Sequence, residues 1–254
     1  MTNYENQIIE IIKTHFQFTS IIEIDRIFIA YNGVLTIAFK SYTKELLQLK
    51  STLEQHVNVL SKENIGTKWL KITIACLNQN HSLTLEQFRL LHQLTIDFTL
   101  KFHHSSSKRN IRIDQLSVIN FNNRALIPPF NYKIDIPTFN SDQLDNLIDH
   151  NNHNFVSNQI LGELSNDLDI YWRDKVNYNP KNSNKSSHYI DQCEPESTLV
   201  HQLSSNSNNC TIINEMIDQF RQSLPVEISN LYHWFPKEYL HISIRSLIPT
   251  KDIK

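Results

Sequence analysis

The sequence predicts an α+β protein, because short segments of alternating apolar and polar residues are interspersed with longer segments in which apolar residues recur at helical spacing. The alternating segments are typical of half-buried strands, and the longer ones are typical of amphipathic helices. Of the 254 residues, 40% are hydrophobic, which is enough for one sizeable core. We therefore expect a single domain over residues 1–254, with lobe-like halves of about 1–125 and 126–254.

A hairpin and a capped helix are predicted near the start of the chain. Residues 26–31 and 34–39 have the composition of strands. Asn32 and Gly33, which lie between them, suit the two positive-φ positions of a tight turn. Thr43 is a suitable N-cap, because apolar residues follow it at helical spacing. These apolar residues are Leu46, Leu49, Leu53 and Val57.

A strand, a helix and a second strand follow, and together they form one α/β unit. The strands are predicted over residues 70–77 and 113–121. Thr84 and Gln87 have the spacing of a capping box at the start of the helix. The apolar side of that helix carries Phe88, Leu91, Phe98 and Phe102.

The second half of the sequence is less regular. Two further helices are indicated by the apolar positions Ile160, Leu161, Leu164, Leu168 and Trp172, and Ile212, Ile213, Met216, Ile217 and Phe220. Residues 177–187 and 204–209 are rich in Asn and Ser, and we expect mobile loops there. The final strand is predicted over residues 239–247.

Composition excludes several classes of function. With 24 Lys and Arg against 26 Asp and Glu the formal charge is -2, so no long nucleic acid is expected as a partner. A small phosphate ester is still compatible with this charge as a ligand, because its binding needs only a few local hydrogen-bond donors. The three glycines are too few for a Gly-rich phosphate-binding loop. His103 and His104 have no third ligand at suitable spacing, so we predict no metal and no cofactor.

The sequence also predicts a location. Three widely spaced cysteines form neither a Cys-x-x-Cys pair nor an even set for disulfides. The first residues lack the cationic start of a secretory signal, and no run of about 18 apolar residues predicts a membrane span. We therefore expect a cytoplasmic protein without membrane contact, and a nuclear location and the oligomeric state stay open.

Residues 240–245 form the segment with the clearest chemical pattern. Because side chains alternate across a strand, His241, Ser243 and Arg245 share one face, and the residues between them are apolar. An imidazole transfers a proton near neutral pH, a hydroxyl donates to a phosphoryl oxygen, and a guanidinium neutralises its charge. The alternative interpretation of His241 is a structural, hydrogen-bonded strand residue.

Residues 70–75 repeat this design, with Lys71 and Thr73 on the polar face. Trp69 lies directly before this segment, and Trp234 precedes residues 240–245 at a greater distance. Two strands of one design predict a pseudo-twofold arrangement in which the polar side chains of both face one cleft. The alternative for Lys71 and Thr73 is a solvated strand face.

Residues 234–247 resemble a histidine motif of the two-histidine (2H) phosphoesterases, a superfamily that includes RNA-end cyclic phosphodiesterases. The resemblance is specific over residues 231–248 and looser over 24–124. It implies a bilobal fold with two pseudo-symmetric antiparallel β-sheets flanked by helices, each sheet carrying a His-x-Thr/Ser motif. It also implies that each imidazole acts as acid or base and that each hydroxyl holds the phosphate. The chain departs from this pattern at Lys71, where the first histidine is expected.

A looser resemblance, to a little-characterised group of 2H-like proteins, includes Lys71 in its pattern. It depends on residues 62–73, 187–189 and 234–245. A lysine with the ordinary pKa of about 10.4 is charged at neutral pH, so Lys71 is not expected to act as a base. It is expected either to stabilise phosphate charge or, if burial lowers its pKa, to act as an acid. His188 is then the preferred candidate for the missing proton carrier.

Three functions are compatible with these residues. The first is a metal-independent phosphodiesterase that acts on a cyclic phosphate or an RNA end. Its expected catalytic residues are His241, Ser243, Lys71 and Thr73. Its expected substrate-binding residues are Arg245, His188, Tyr189 and Trp69. The second function is a module that binds a phosphate-bearing ligand without turnover, and the third is a scaffold that keeps only the fold.

Overall fold

The computed structural model is an α+β protein with two β-sheets flanked by helices, as the sequence predicts. It describes residues 3–63, 70–105, 109–145, 162–164, 166–177, 185–203 and 208–247. The helices are α1 (Asn3–His15), α2 (Lys44–His56), α3 (Leu85–Ser105), α4 (Leu168–Tyr171), α5 (Ser186–Ile190), α6 (Asn208–Ser223) and α7 (Val226–Ser229). The strands are β1 (Phe18–Ile29), β2 (Leu35–Phe39), β3 (Lys71–Leu77), β4 (Asn110–Ile113), β5 (Gln115–Phe121), β6 (Tyr132–Pro137), β7 (Asn140–Asp145), β8 (Glu196–Gln202), β9 (Tyr232–Trp234) and β10 (His241–Ser246). Within these residues no helix is long and apolar enough to cross a membrane.

Five strands of the first sheet follow the order β4-β1-β2-β3-β9, and each neighbouring pair is antiparallel. β7 joins the start of β1 in parallel. The connection from β1 to β2 is the predicted tight turn, since Asn32 and Gly33 have φ angles of 59° and 75°. A Cβ atom at Gly33 would lie 2.8 Å from Leu77 Cδ1, so glycine also allows the close packing beneath the turn.

The second sheet has the order β10-β8-β5-β6 and is antiparallel throughout. The two sheets do not follow the predicted halves 1–125 and 126–254, because β5 lies in the second sheet and β9 lies in the first. The strand predicted over residues 113–121 corresponds to β5, except that Ile113 is the last residue of β4, which belongs to the other sheet. The chain changes sheet at Asp114, whose carbonyl oxygen accepts a hydrogen bond from Thr138 N at 2.8 Å.

The predicted caps are present at two helices. Thr43 Oγ1 accepts a hydrogen bond from Leu46 N at the start of α2. Thr84 N donates to Gln87 Oε1 and Gln87 N donates to Thr84 Oγ1, which is the predicted capping box before α3. The predicted apolar sides of both helices face the core. Their buried residues include Leu46, Leu49, Leu53, Phe88, Leu91, Phe98 and Phe102.

The segments predicted as loops, 177–187 and 204–209, are described only at their ends. Ser186 begins α5 and Asn208 begins α6, so these ends are helical, and the prediction was wrong there. The remainder, apart from residue 177 and Lys185, lies outside the described residues. The apolar side of α6 is buried as predicted, through Ile213, Met216, Ile217 and Phe220.

Candidate functional site

Strands β3 and β10, one from each sheet, pack against each other. β3 lies between β2 and β9, and β10 is one of the two edge strands described for the second sheet. Burial alternates along the start of each strand as the sequence predicts. Ile72 and Ile242 are fully buried. The residues on either side of each are partly buried, namely Lys71, Thr73, His241 and Ser243.

Both strands also contain a β-bulge, which the sequence does not show. In β3 an extra residue lies between Thr73 and Ala75 relative to β2, and in β10 an extra residue lies between Ser243 and Arg245 relative to β8. A bulge turns the side chains beyond it and increases the local twist. Each strand therefore presents its two polar positions first and then two successive buried residues. The matched bulges support the expectation that the two strands share one design.

A cavity of about 650 Å³ lies beside these strands. Its volume is within the ordinary range for pockets that hold a small-molecule ligand. The predicted site residues that border it are Lys71, Thr73, His188, Tyr189, His241, Ser243 and Arg245. The expectation that both strands face one cleft is thus confirmed, whereas Trp69 lies outside the described residues.

His241 is held in one tautomer. Its Nδ1 lies 3.0 Å from the carbonyl oxygen of Tyr239, and because a carbonyl only accepts, Nδ1 carries the proton. In the neutral ring the free lone pair is therefore on Nε2. Burial lowers the pKa of His241, and the hydrogen bond to Tyr239 opposes that shift only in part. At pH 7 the ring is neutral and able to accept a proton.

Arg245 borders the cavity, but its guanidinium is not presented to a ligand as the sequence led us to expect. Its side chain has no exposed surface, because the bulge in β10 turns it to the buried side. Nη2 donates to the carbonyl oxygen of Ser61 at 3.1 Å. Nη1 lies 3.5 Å from Glu54 Oε2 and 3.9 Å from Glu63 Oε2. Arg245 therefore fixes β10 against α2 and the segment that follows α2.

Arg245 belongs to a buried charge cluster, with Tyr42, Lys50 and Glu63, that the sequence did not reveal. Lys50 Nζ lies 3.2 Å from Glu63 Oε2 and donates to Tyr42 Oη at 3.0 Å. Glu63 Oε1 accepts a hydrogen bond from Ser246 N at 3.0 Å. Burial lowers the pKa of Lys50 although Glu63 opposes the shift, and burial followed by the charge of Glu63 raises the pKa of Tyr42. These residues follow no motif spacing, so only the fold brings them together.

His188 and Tyr189, on α5, also border the cavity. The His188 ring lies edge-to-face on the Tyr189 ring with centroids 5.1 Å apart, and Tyr189 packs similarly on Phe235 at 5.2 Å. Burial lowers the pKa of His188, and the positive charge of Arg124 lowers it further, while Glu196 opposes the shift. A second imidazole with its own charged neighbours thus borders the same cavity as His241.

Neither a metal-ligand cluster among the described residues nor a known relative indicates the chemistry of this cavity. Among the described residues, no group of three or more His, Cys, Asp or Glu side chains is arranged to hold a metal ion. No family model, no curated protein and no solved structure matches the chain. The imidazoles, hydroxyls and cations that border the cavity are therefore the features that indicate its chemistry.

Proposed function

We propose that the cavity binds a small phosphate ester, either a cyclic phosphate or the phosphodiester at an RNA end, and hydrolyses it by acid/base catalysis without a metal ion. The observation that carries this proposal is that His241 and His188 border one cavity together with Ser243, Thr73 and Lys71. We further propose that the chain is a divergent two-histidine phosphoesterase that acts in the cytoplasm.

His241 is the general base in the proposed reaction on a 2′,3′-cyclic phosphate. A water molecule attacks phosphorus and transfers a proton to Nε2 of His241, which is the unprotonated nitrogen of the ring. The new P–O bond forms while the bond from phosphorus to one ribose oxygen breaks. The lowered pKa of His241 keeps the ring unprotonated in the resting protein.

His188 is the general acid, which donates its proton to the departing ribose oxygen. In the free protein burial and Arg124 disfavour the protonated ring. A bound phosphate places negative charge near that ring and so favours protonation. The two histidines end the reaction with their protonation states exchanged, and solvent restores them.

Hydroxyls and charge hold the phosphate in this mechanism. Thr73 and Ser243 occupy matching positions before the bulges of β3 and β10, and both border the cavity. Their hydroxyls donate to non-bridging oxygens, and the ammonium of Lys71 stabilises the charge that develops there.

Binding without turnover is a second candidate function, and one observation favours it. Lys71 occupies the position at which the two-histidine pattern has its first proton carrier. In this case the cavity recognises a phosphate ester through Lys71, Thr73 and Ser243, and His241 serves only as a hydrogen-bonding residue. The two candidates differ in turnover and agree on affinity for phosphate esters.

The protein is expected to hydrolyse adenosine 2′,3′-cyclic phosphate to a monophosphate at a rate that EDTA does not reduce. The measurement is product formation with and without chelator, together with calorimetric binding of the same ester. Loss of activity with EDTA and its return with zinc or magnesium would contradict a metal-independent reaction. Binding without product formation would favour the binding module, and neither binding nor hydrolysis would favour a scaffold.

Lys71→Ala is expected to weaken binding of the ester by about 10- to 100-fold, because it removes one charge-assisted hydrogen bond to phosphate. Lys71→His restores a second strand imidazole and is expected to keep or raise kcat. Lys13→Ala, which removes a surface lysine paired with Glu10 on α1, provides the control. Equal affinities for the Lys71→Ala variant and the wild type would exclude Lys71 from the phosphate site.

A further inference from the structure

Arg124 borders the cavity but belongs to no motif in the sequence. It follows β5, in the second sheet, and its Nη2 donates to Glu196 Oε1 at 2.7 Å. Glu196 is the first residue of β8 and also borders the cavity. The Arg124 side chain keeps 39% of its surface exposed, and the residue is part of the cavity lining.

The ion pair with Glu196 positions Arg124 without using all of its donors. A guanidinium has five N–H donors in a planar fork, and this fork matches the oxygens of a phosphate. The pair is formed through Nη2, so donors are left for a ligand oxygen. The positive charge of Arg124 also lowers the pKa of His188, and both side chains border the cavity.

A purely structural role explains Arg124 poorly. β5 and β8 are already joined by five residue pairs of the antiparallel ladder, from Ser117–Val200 to Phe121–Glu196. An exposed ion pair adds little to such a ladder, because solvent screens it. The position of Arg124 at the cavity is therefore better explained by a ligand than by the stability of the sheet.

Two cationic side chains thus reach the cavity from different sheets. Lys71 comes from β3 of the first sheet, and Arg124 follows β5 of the second. The volume of about 650 Å³ accommodates a whole nucleotide-sized ligand rather than a phosphate group alone. We propose that Arg124, held by Glu196, binds a second anionic group of the ligand, so that the cavity selects phosphate esters that carry an additional phosphate. This inference depends on the proposed function and names the substrate class of the same site.

A pair of nucleotides that differ by one phosphate tests the inference. Adenosine 3′-monophosphate and adenosine 3′,5′-bisphosphate share a base and a ribose, and neither contains a diester that the protein would consume. Wild type is expected to bind the bisphosphate about 10- to 100-fold more tightly in calorimetry at fixed ionic strength. Arg124→Met is expected to reduce this preference nearly to one. Arg89→Met removes an arginine of similar exposure that pairs with Asp169 outside the cavity, and it should keep the preference.

The outcomes separate this inference from the proposed function. Equal affinities of wild type for both nucleotides, or an unchanged preference in Arg124→Met, would overturn the role of Arg124 while hydrolysis of the cyclic phosphate still stands. If wild type binds neither nucleotide and does not hydrolyse the cyclic ester, both the role of Arg124 and the proposed function are overturned. If Arg124→Met lowers the melting temperature, Arg124→Gln keeps a polar group beside Glu196 and allows the same comparison.

Discussion

His241→Asn is expected to lower kcat for adenosine 2′,3′-cyclic phosphate by about 10²–10⁴-fold, the usual contribution of a general acid/base group. The amide of asparagine can still donate to the carbonyl oxygen of Tyr239, which Nδ1 of His241 contacts at 3.0 Å. It has no counterpart of Nε2, so the proton acceptor is lost while the local structure is kept. Affinity for the ester should stay close to that of wild type.

The pH profile provides a second measurement of the same role. The base must be unprotonated, and burial lowers the pKa of His241 below the ordinary value of 6.5. The acidic limb of kcat/KM in wild type should therefore lie below that pH, and it should disappear in His241→Asn. His104→Asn, at an exposed position of α3, is the matched control and should have a wild-type profile. Full activity of His241→Asn would refute catalysis by this residue.

Arg245→Met is expected to lower the free energy of unfolding by about 3–5 kcal/mol, the range for removing one partner of a buried ion pair. The side chain has no exposed surface, and it is close to the carboxylates of Glu54 and Glu63. Methionine fills much of the volume but leaves the two carboxylates with only Lys50 as a buried cation in the cluster. The uncompensated negative charge is the source of the expected loss.

Urea denaturation of a double-mutant cycle measures this effect. Adding Glu54→Gln to Arg245→Met removes one carboxylate, so part of the lost stability should return. Lys13→Met breaks an exposed pair with Glu10 and should cost no more than about 1 kcal/mol. If Arg245→Met is as mild as Lys13→Met, the cluster does not stabilise β10, and the sequence-based role of Arg245 in ligand binding would have to be reconsidered.

Local patterns in the sequence predicted the parts of this structure that depend on neighbouring residues. The Asn32–Gly33 turn, the cap at Thr43 and the capping box at Thr84 each follow from backbone preferences of a few residues. Alternation along β3 and β10 likewise predicted which side chains face the cavity. His188 was identified from a resemblance rather than from periodicity, and it also borders the cavity.

Features that depend on long-range contacts were not predicted. The strand pattern over residues 113–121 gives no sign that the chain changes sheet at Asp114. Strict alternation placed Arg245 with the polar residues, whereas the bulge in β10 buries it. Lys50 and Arg124 were not predicted because their partners, Glu63 and Glu196, lie outside the spacing of any local helix or strand pattern.

The exchange of strands between the two sheets has a consequence for synthesis on the ribosome. The first sheet needs β9 and the second needs β10, and both strands come from residues 232–246. The first sheet is complete only once Trp234 has been synthesised and the second only once Ser246 has been, so β3 and β8 each keep an unpaired edge on the nascent chain until then. Pairing between strands that are distant in sequence is also slow, because loop closure costs entropy before contacts form. We therefore expect both sheets to close only after residues 232–246 have been synthesised, and the open edges of β3 and β8 to need protection until then.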